Sequence, residues 1–344
     1  MKLLRGNFFM RKTKFLIIRL SSIGDIVLTS PLIRCLKQQV EDAEIHFVTR
    51  SKYSDLVLAN PYIDKIHFLD SHLGFLLQEL ATVKPDYIID LHRNFRSFRI
   101  KRHLGIPAYS FNKLNIRKWL RVQFGIDLLP EVHIVDRYFK TLIPFGVHSD
   151  GKGLDYFIPE GKQYDFSRLP DLFKKGYLTF IIGGTYHTKR LPVGKVISIC
   201  RKINVPVILI GGKQEVPESL LIGRETGNHI LNLTGKTTLS ESASLIRDAR
   251  LVLTNDTGMM HIAAAFGKKI LSFWGNTIPK LGMSPYLPHS ASKIMEVEGL
   301  SCRPCSKLGF QKCPRKHFRC MNDLDPDVAV DWINENFHTG QMPL

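Results

Sequence analysis

Three short runs of this chain combine residue types that can do chemistry on an anionic ligand. In the first, Asn255-Asp256-Thr257-Gly258-Met259-Met260-His261 follows an apolar run at 251–253 and leads into Ile262-Ala263-Ala264-Ala265. A strand–turn–helix junction of this kind presents unpaired backbone N–H groups and the positive end of a helix dipole, which suits phosphate. Gly258 lets a ligand approach the backbone closely, and Thr257 offers a hydroxyl. The plainer alternative is that Asp256 or Thr257 only caps the helix. In the second, Gly183-Gly184-Thr185 and Gly211-Gly212 each end an apolar run, and Lys189 and Arg190 follow the first. Those cations are able to neutralise a diphosphate. In the third, Arg19-Leu20-Ser21-Ser22-Ile23-Gly24-Asp25 sets a carboxylate at a helix start beside a glycine. There it can serve as a general base or as a cap.

The elements that must position these runs alternate regularly. Residues 14–20, 44–49, 64–69 and 86–91 read as short apolar strands, with helical stretches between them, the first over 26–39. Residues 151–176, rich in Gly, Pro, Asp and Lys, read as a linker, after which the pattern restarts. Strands are expected at 177–184, 205–212, 251–253 and 269–274, and helices at 193–203 and 326–336. Strands alternating with helices argue for βαβ units and parallel sheets. The expected fold is therefore α/β, with two Rossmann-like doubly wound domains. The first spans residues 1–160 and the second 161–325, while 326–344 forms a terminal helix expected to pack back on the first. Ligands bind such sheets at the carboxyl ends of the strands, so the two domains should face each other across a cleft.

Composition narrows the partners. The 344 residues carry 48 Lys and Arg against 31 Asp and Glu, a formal net charge of +17, which suits an anionic partner. The cations cluster: Arg93, Arg96, Arg99, Lys101, Arg102, Lys113, Arg117, Lys118 and Arg121 lie in a run without a single carboxylate, interleaved with aromatics. Apolar runs are strand-length, well short of the roughly 20 residues that span a bilayer. The basic opening over residues 1–14 has too small an apolar core for a signal peptide, and Met10 is a second candidate start. A cytoplasmic protein, resting peripherally on a membrane, is expected.

Of six cysteines, Cys35 and Cys200 sit alone in expected helices and read as small apolar side chains. Cys302, Cys305, Cys313 and Cys320 crowd into nineteen residues with His317 among them. A CxxC pair with two further cysteines makes a candidate structural zinc site; reduced packing thiols and a redox pair are the alternatives.

Residues 19–31, RLSSIGDIVLTSP, resemble the first-strand motif of glycosyltransferase family 9, the lipopolysaccharide heptosyltransferases. The resemblance extends through residues 90–97, through HIVDRY at 133–138, and most specifically through the long stretch 234–274. It continues through Gly275 and Thr277 to the cysteine cluster, so it covers nearly the whole chain in collinear order. It implies a GT-B architecture, an inverting mechanism, no catalytic metal and no required cofactor. The implied donor is ADP-heptose, and the implied acceptor an anionic glycolipid of the lipopolysaccharide core, met at the inner membrane. Carried over by position, Asp25 becomes the catalytic base. Lys189 contacts the departing diphosphate, Asp256, Thr257 and Gly258 hold the donor, and His261 supports their loop. Gly183, Thr185 and Gly212 line the nucleotide, with Glu215 near the ribose. Ser22, Gly24, Arg93, Asn94 and Arg96 are expected at the acceptor.

Four other readings compete, one of them a degenerate, non-catalytic family member, against which the joint presence of Asp25, Lys189 and Asp256 argues. A GT-B transferase for another nucleotide sugar would use the same motifs. A nucleic-acid-binding protein fits the charge but lacks any recognised motif, so no nucleic-acid partner is expected. A nicotinamide-dependent oxidoreductase should carry GxGxxG after its first strand, where this chain has SSIGD.

Overall fold

The computed structural model describes residues 12–70 and 72–338. Residues 1–11, Met10 included, lie outside them, as do 339–344. Two parallel sheets carry the fold. The first orders its strands β3-β2-β1-β4-β5: β1 (Thr13–Ile18), β2 (Ala43–Thr49), β3 (Lys65–Phe68), β4 (Tyr87–Asp90) and β5 (Ala108–Ser110). The second runs β11-β10-β9-β6-β7-β8: β6 (Leu178–Ile181), β7 (Val207–Ile210), β8 (Ile230–Asn232), β9 (Leu251–Asn255), β10 (Lys269–Trp274) and β11 (Lys293–Glu296).

The central strands are continuous apolar runs because helices cover both faces of a parallel sheet. Phe15, Leu16, Ile17 and Ile18 of β1 are fully buried, as are Leu251, Val252 and Leu253 of β9. Phe15 stands opposite Ile45 on one side and Tyr87 on the other; Leu178 stands opposite Val207 and Leu251. Strand order reverses beside β1 and again beside β6. The crevice at such a reversal is where ligands bind; the runs at 19–25, 183–190 and 255–261 lie at these two points, while Gly211-Gly212 follows β7, one strand further on.

Four features depart from the expected elements. The helix expected over 26–39 is two helices, Ile23–Val27 and Ser30–Gln39. Pro31 has no N–H for a bond to Val27 and its ring crowds that carbonyl; Ser30 Oγ donates to Val27 O instead, at 2.7 Å. The short strands β5, β8 and β11 were not anticipated, being three or four residues long and only partly buried. The linker is packed rather than loose: Tyr156, Tyr164, Leu169 and Phe173 are buried in an apolar cluster that draws on both domains. Buried Arg34 pins its start through Asp150 (2.8 Å) and Asp155.

The fourth departure is the terminal helix, Pro326–Phe337, which packs on the second domain and not the first. Ala329, Ile333 and Phe337, four residues apart, form one stripe buried with Val196, Ile199 and Cys200 of the helix Val193–Lys202. Trp332 Nε1–H donates to Ala291 O at 2.8 Å. Its apolar stripe matches the outer layer of the second sheet, so that layer holds it. Cys35 and Cys200 are both fully buried in helices, as small apolar residues should be.

Candidate functional site

β1 delivers Arg19 to the carboxyl end of the sheet with its guanidinium almost wholly buried. Its Nε donates to Ser21 O at 2.8 Å; its Nη1 donates to Leu91 O and, at 3.0 Å, to Tyr138 Oη. The remaining Nη2 meets Asp25 Oδ1 at 2.5 Å. Asp25 Oδ2 accepts from Ser22 Oγ at 2.7 Å and Ser22 N–H at 3.2 Å. Burial pushes the Asp25 carboxyl upward, but the Arg19 charge and the Ser22 bonds outweigh it and hold the group below its ordinary range. Asp25 is thus an anion at neutral pH, with a fixed orientation.

From the second domain, Asn255 ties two strand ends together. Its Nδ2 donates to Ile182 O and Gly183 O, both at 3.1 Å, and its Oδ1 accepts from Leu191 N–H at 3.0 Å. The β6 and β9 junctions are therefore one unit. Asp256 is nearly buried; its Oδ2 meets Lys189 Nζ at 2.5 Å and accepts from Thr277 Oγ1 at 2.7 Å. Arg303 fixes the loop that carries Thr277, donating to the carbonyls of Gly275 (2.5 Å), Val297 (2.6 Å) and Thr277 (2.7 Å) and pairing with Glu296. Thr257 precedes the helix Gly258–Ala265, and its buried Oγ1 has no partner. His261, one turn on, is 2% exposed with Nδ1 unpartnered, and burial drives it down to about 4, so it is neutral.

The two domains meet where these motifs begin. A Cβ on Gly258 would stand 2.7 Å from Ile23 Cβ and 2.8 Å from Gly24 N; one on Gly24 would stand 2.6 Å from His261 Cδ2. Glycine at both positions is what lets the helix starts touch.

Between them lies a cavity of about 570 Å³. Ser22, Gly24 and Asp25 line it from one domain, and Thr185, Lys189, Asp256, Thr257, Gly258 and His261 from the other. Two carboxylates and six Lys or Arg face it among the described residues, and both carboxylates already have a cation. The surplus consists of Lys113, Lys118, Arg137 and Lys307. Arg137 is 4% exposed, with Nε and Nη2 lacking partners. Burial, with Arg137 next, brings Lys118 down to about 8. Burial also leaves His92, another lining residue, neutral, near 4.

Arg93, Asn94 and Arg96 do not line this cavity. Asn94 caps the helix Phe95–Leu104, accepting from Ser97 N–H at 3.0 Å. Arg93 Nη1 donates to Phe111 O at 3.2 Å. Arg96 projects from the same helix into a shallow surface hollow with Phe75, Phe95 and Arg99. Lys113 and Lys118 were legible only as members of a basic run, Arg137 only as part of HIVDRY. Nothing local marked Lys307 or Arg303.

Gly183, Gly212 and Glu215 form a separate group at the ends of β6 and β7. Glu215 is buried; Oε1 meets Arg190 at 2.6 Å and Oε2 accepts from Gly212 N–H at 2.8 Å. Side chains at 183 or 212 would crowd that carboxylate. Both Glu215 oxygens are engaged, by Arg190 and by the Gly212 N–H, so Glu215 clamps the glycine turns. The four clustered cysteines are free thiols, Cys302 Sγ lying 3.9 Å from His317 Nε2. Among the described residues no three His, Cys, Asp or Glu side chains converge as metal ligands do.

The chain is similar to known proteins over most of its length. The model of glycosyltransferase family 9 (heptosyltransferase) matches residues 74–311. Lipooligosaccharide heptosyltransferase 2 of Campylobacter jejuni subsp. jejuni serotype O:6 is 30% identical over 334 residues, 91% of this chain and 96% of its own. Lipopolysaccharide heptosyltransferase 2 of Salmonella typhimurium is 33% identical over 330 residues, 83% and 89% of the two chains. The structure of E. coli ADP-heptose lps heptosyltransferase II superposes with a TM-score of 0.70 at 18% identity, over 94% of this chain and 98% of that one. E. coli heptosyltransferase WaaC with ADP gives 0.67 at 16%, over 94% and 100%. These likenesses establish a common GT-B fold.

Proposed function

The chain belongs to glycosyltransferase family 9, the heptosyltransferases, and from that premise we propose that it moves a heptose from ADP-heptose to an anionic glycolipid of the lipopolysaccharide core. The carrying observation is one cavity lined by Asp25 from one domain and by Lys189, Asp256 and Thr257 from the other. The acceptor hydroxyl attacks the anomeric carbon, Asp25 takes its proton, and the bond to the ADP oxygen breaks on the opposite side. One displacement with one base inverts the centre. Lys189 and the N-terminal amides of the helix Gly258–Ala265 meet the charge that develops on the leaving diphosphate. Asp256 holds Lys189, and Thr257 Oγ1, having no protein partner, is free for the donor. Lys113, Lys118, Arg137 and Lys307 supply the counter-charge for acidic groups on the acceptor.

Written this way, transfer routes no step through a metal or cofactor. The cysteine spacing suggests a structural zinc, although the four thiols do not converge as ligands among the described residues; elemental analysis of protein purified without added metal checks it. A lipid-linked acceptor places the reaction at the cytoplasmic face of the inner membrane, as a peripheral contact. No helix among the described residues is long and apolar enough to cross a membrane.

The deciding experiment is thermal stabilisation by ADP, UDP, GDP, CMP, NAD and ADP-heptose. A ligand at 100 times its Kd adds about 2.7 kcal/mol, several degrees of Tm. Stabilisation selective for ADP and ADP-heptose is expected. Selectivity for UDP or GDP would discard the ADP donor, and no response to any sugar nucleotide would sink the reading.

A further inference from the structure

The helix Asn115–Phe124 buries none of its ten residues. A helix this short is marginal in water without tertiary burial, so its apolar side chains call for another partner. At 100° per residue, Ile116, Trp119, Leu120 and Phe124 fall on one side, and Arg117, Lys118 and Arg121 on the other. Ile116 is 76% exposed, Trp119 53% and Phe124 62%; Ile126 and Leu128, just beyond, are about half exposed. The Trp119 and Phe124 rings meet edge to face, 5.2 Å between centroids, so the apolar side is a formed patch. No Asp or Glu occurs from residue 93 to 126, while nine Lys and Arg do. Of the cationic side, Lys118 faces the cavity, which Asn115 and Leu308, itself 55% exposed, also line, while Arg117 is exposed.

We propose that this helix, with Ile126 and Leu128, docks on a bilayer surface bearing anionic headgroups. Its apolar side enters the boundary between headgroups and acyl chains, and its exposed cation Arg117 lies among the lipid phosphates. Lipid fits better than a protein partner because apolar and cationic residues alternate along one short helix in a carboxylate-free run. Docking would hold the cavity mouth at the membrane, where a lipid-linked acceptor can enter. That consequence rests on the proposed function; the docking itself does not.

The chain carries its own probe. Of its three tryptophans, Trp274 and Trp332 are buried and Trp119 is exposed. The full chain is mixed with vesicles of phosphatidylcholine, of phosphatidylcholine with phosphatidylglycerol, and of the latter with brominated acyl chains. Co-sedimentation with the anionic vesicles only, weakened in about 0.5 M salt, is expected. So are a blue shift of Trp119 emission and its quenching by bromine. The double variant Ile116→Ser/Phe124→Ser should partition roughly tenfold less while keeping its ADP-induced thermal shift, which shows that it is folded. Absence of co-sedimentation overturns the proposal. So does binding without quenching, which puts the contact elsewhere, or a dimer in solution that the double variant abolishes, which makes this a protein interface. A wild-type chain that binds vesicles yet ignores nucleotides sinks the proposed function and leaves the docking intact.

Discussion

In the proposed reaction, Arg19 decides what kind of base Asp25 is. A carboxylate paired at 2.5 Å with a buried guanidinium is ionised throughout the neutral range but accepts a proton weakly. Transfer from the acceptor hydroxyl therefore comes late, once the new bond to carbon has made that proton acidic. Asp25→Asn should lower kcat roughly 100- to 10,000-fold and leave the ADP-induced thermal shift unchanged. Wild-type kcat should show no acid limb from Asp25 until below about pH 4, under the ordinary Asp value. In Arg19→Met, burial acts on Asp25 opposed only by the Ser22 bonds and its pKa rises, so activity is lost as pH falls through a limb moved toward neutrality. Superimposable pH profiles for the two proteins would mean that Arg19 does not tune Asp25.

At the scale of elements, the seam between the helices Ile23–Val27 and Gly258–Ala265 sets how closely the base and the donor side approach. Alanine at 258 would press on Ile23 and on the Gly24 backbone, which has no flexible end to give. Gly258→Ala should destabilise by roughly 1–3 kcal/mol, the ordinary cost of overpacking, and lower kcat as the two halves separate. Gly74→Ala is the control: nothing lies within 4 Å of its added Cβ, and in the helix Leu73–Val83 it should be neutral or stabilise by about 0.5–1 kcal/mol. Equal Tm shifts for the two variants would refute the steric argument. The break before Pro31 belongs to this scale too; it was readable from the proline but masked by the apolar periodicity on either side.

For the whole molecule, burying neutral imidazoles makes stability depend on pH. His261 titrates near 4 when folded and near 6.5 when unfolded. Between those values the unfolded chain binds a proton that the native one refuses, so stability falls as pH drops. The loss approaches about 3 kcal/mol across that window. Urea midpoints at pH 7 and pH 4.5 should show it, with a smaller drop in His261→Gln. The surplus charge of the cavity is also a property of the assembled chain. Arg137→Gln should raise acceptor KM roughly tenfold, the scale of one charged hydrogen bond, with the ADP response intact. Arg96→Ala, pointing into a separate hollow, should leave KM unchanged; the opposite pattern would move the acceptor site.

Much of this protein is local information. Strands buried on both faces must be continuous apolar runs, so β1, β6, β7 and β10 were legible, and so was the two-sheet fold. A glycine, a hydroxyl and a carboxylate within a few residues of a strand end stand out along the chain, so Asp25 and Asp256–Gly258, which line the cavity, could be picked out by reading it. Short, half-exposed strands such as β8 carry no such signature. Direction around a helix is also invisible at the level of a basic run: Arg96 and Lys118 look alike in sequence, yet only Lys118 faces the cavity. Which cations share that cavity was decided by the tertiary structure alone. Lys113, Arg137 and Lys307 converge from segments far apart in sequence, and the terminal helix chose its domain by where its apolar stripe found a matching surface. Contacts of that kind are fixed by how layers pack, which no single stretch of sequence records.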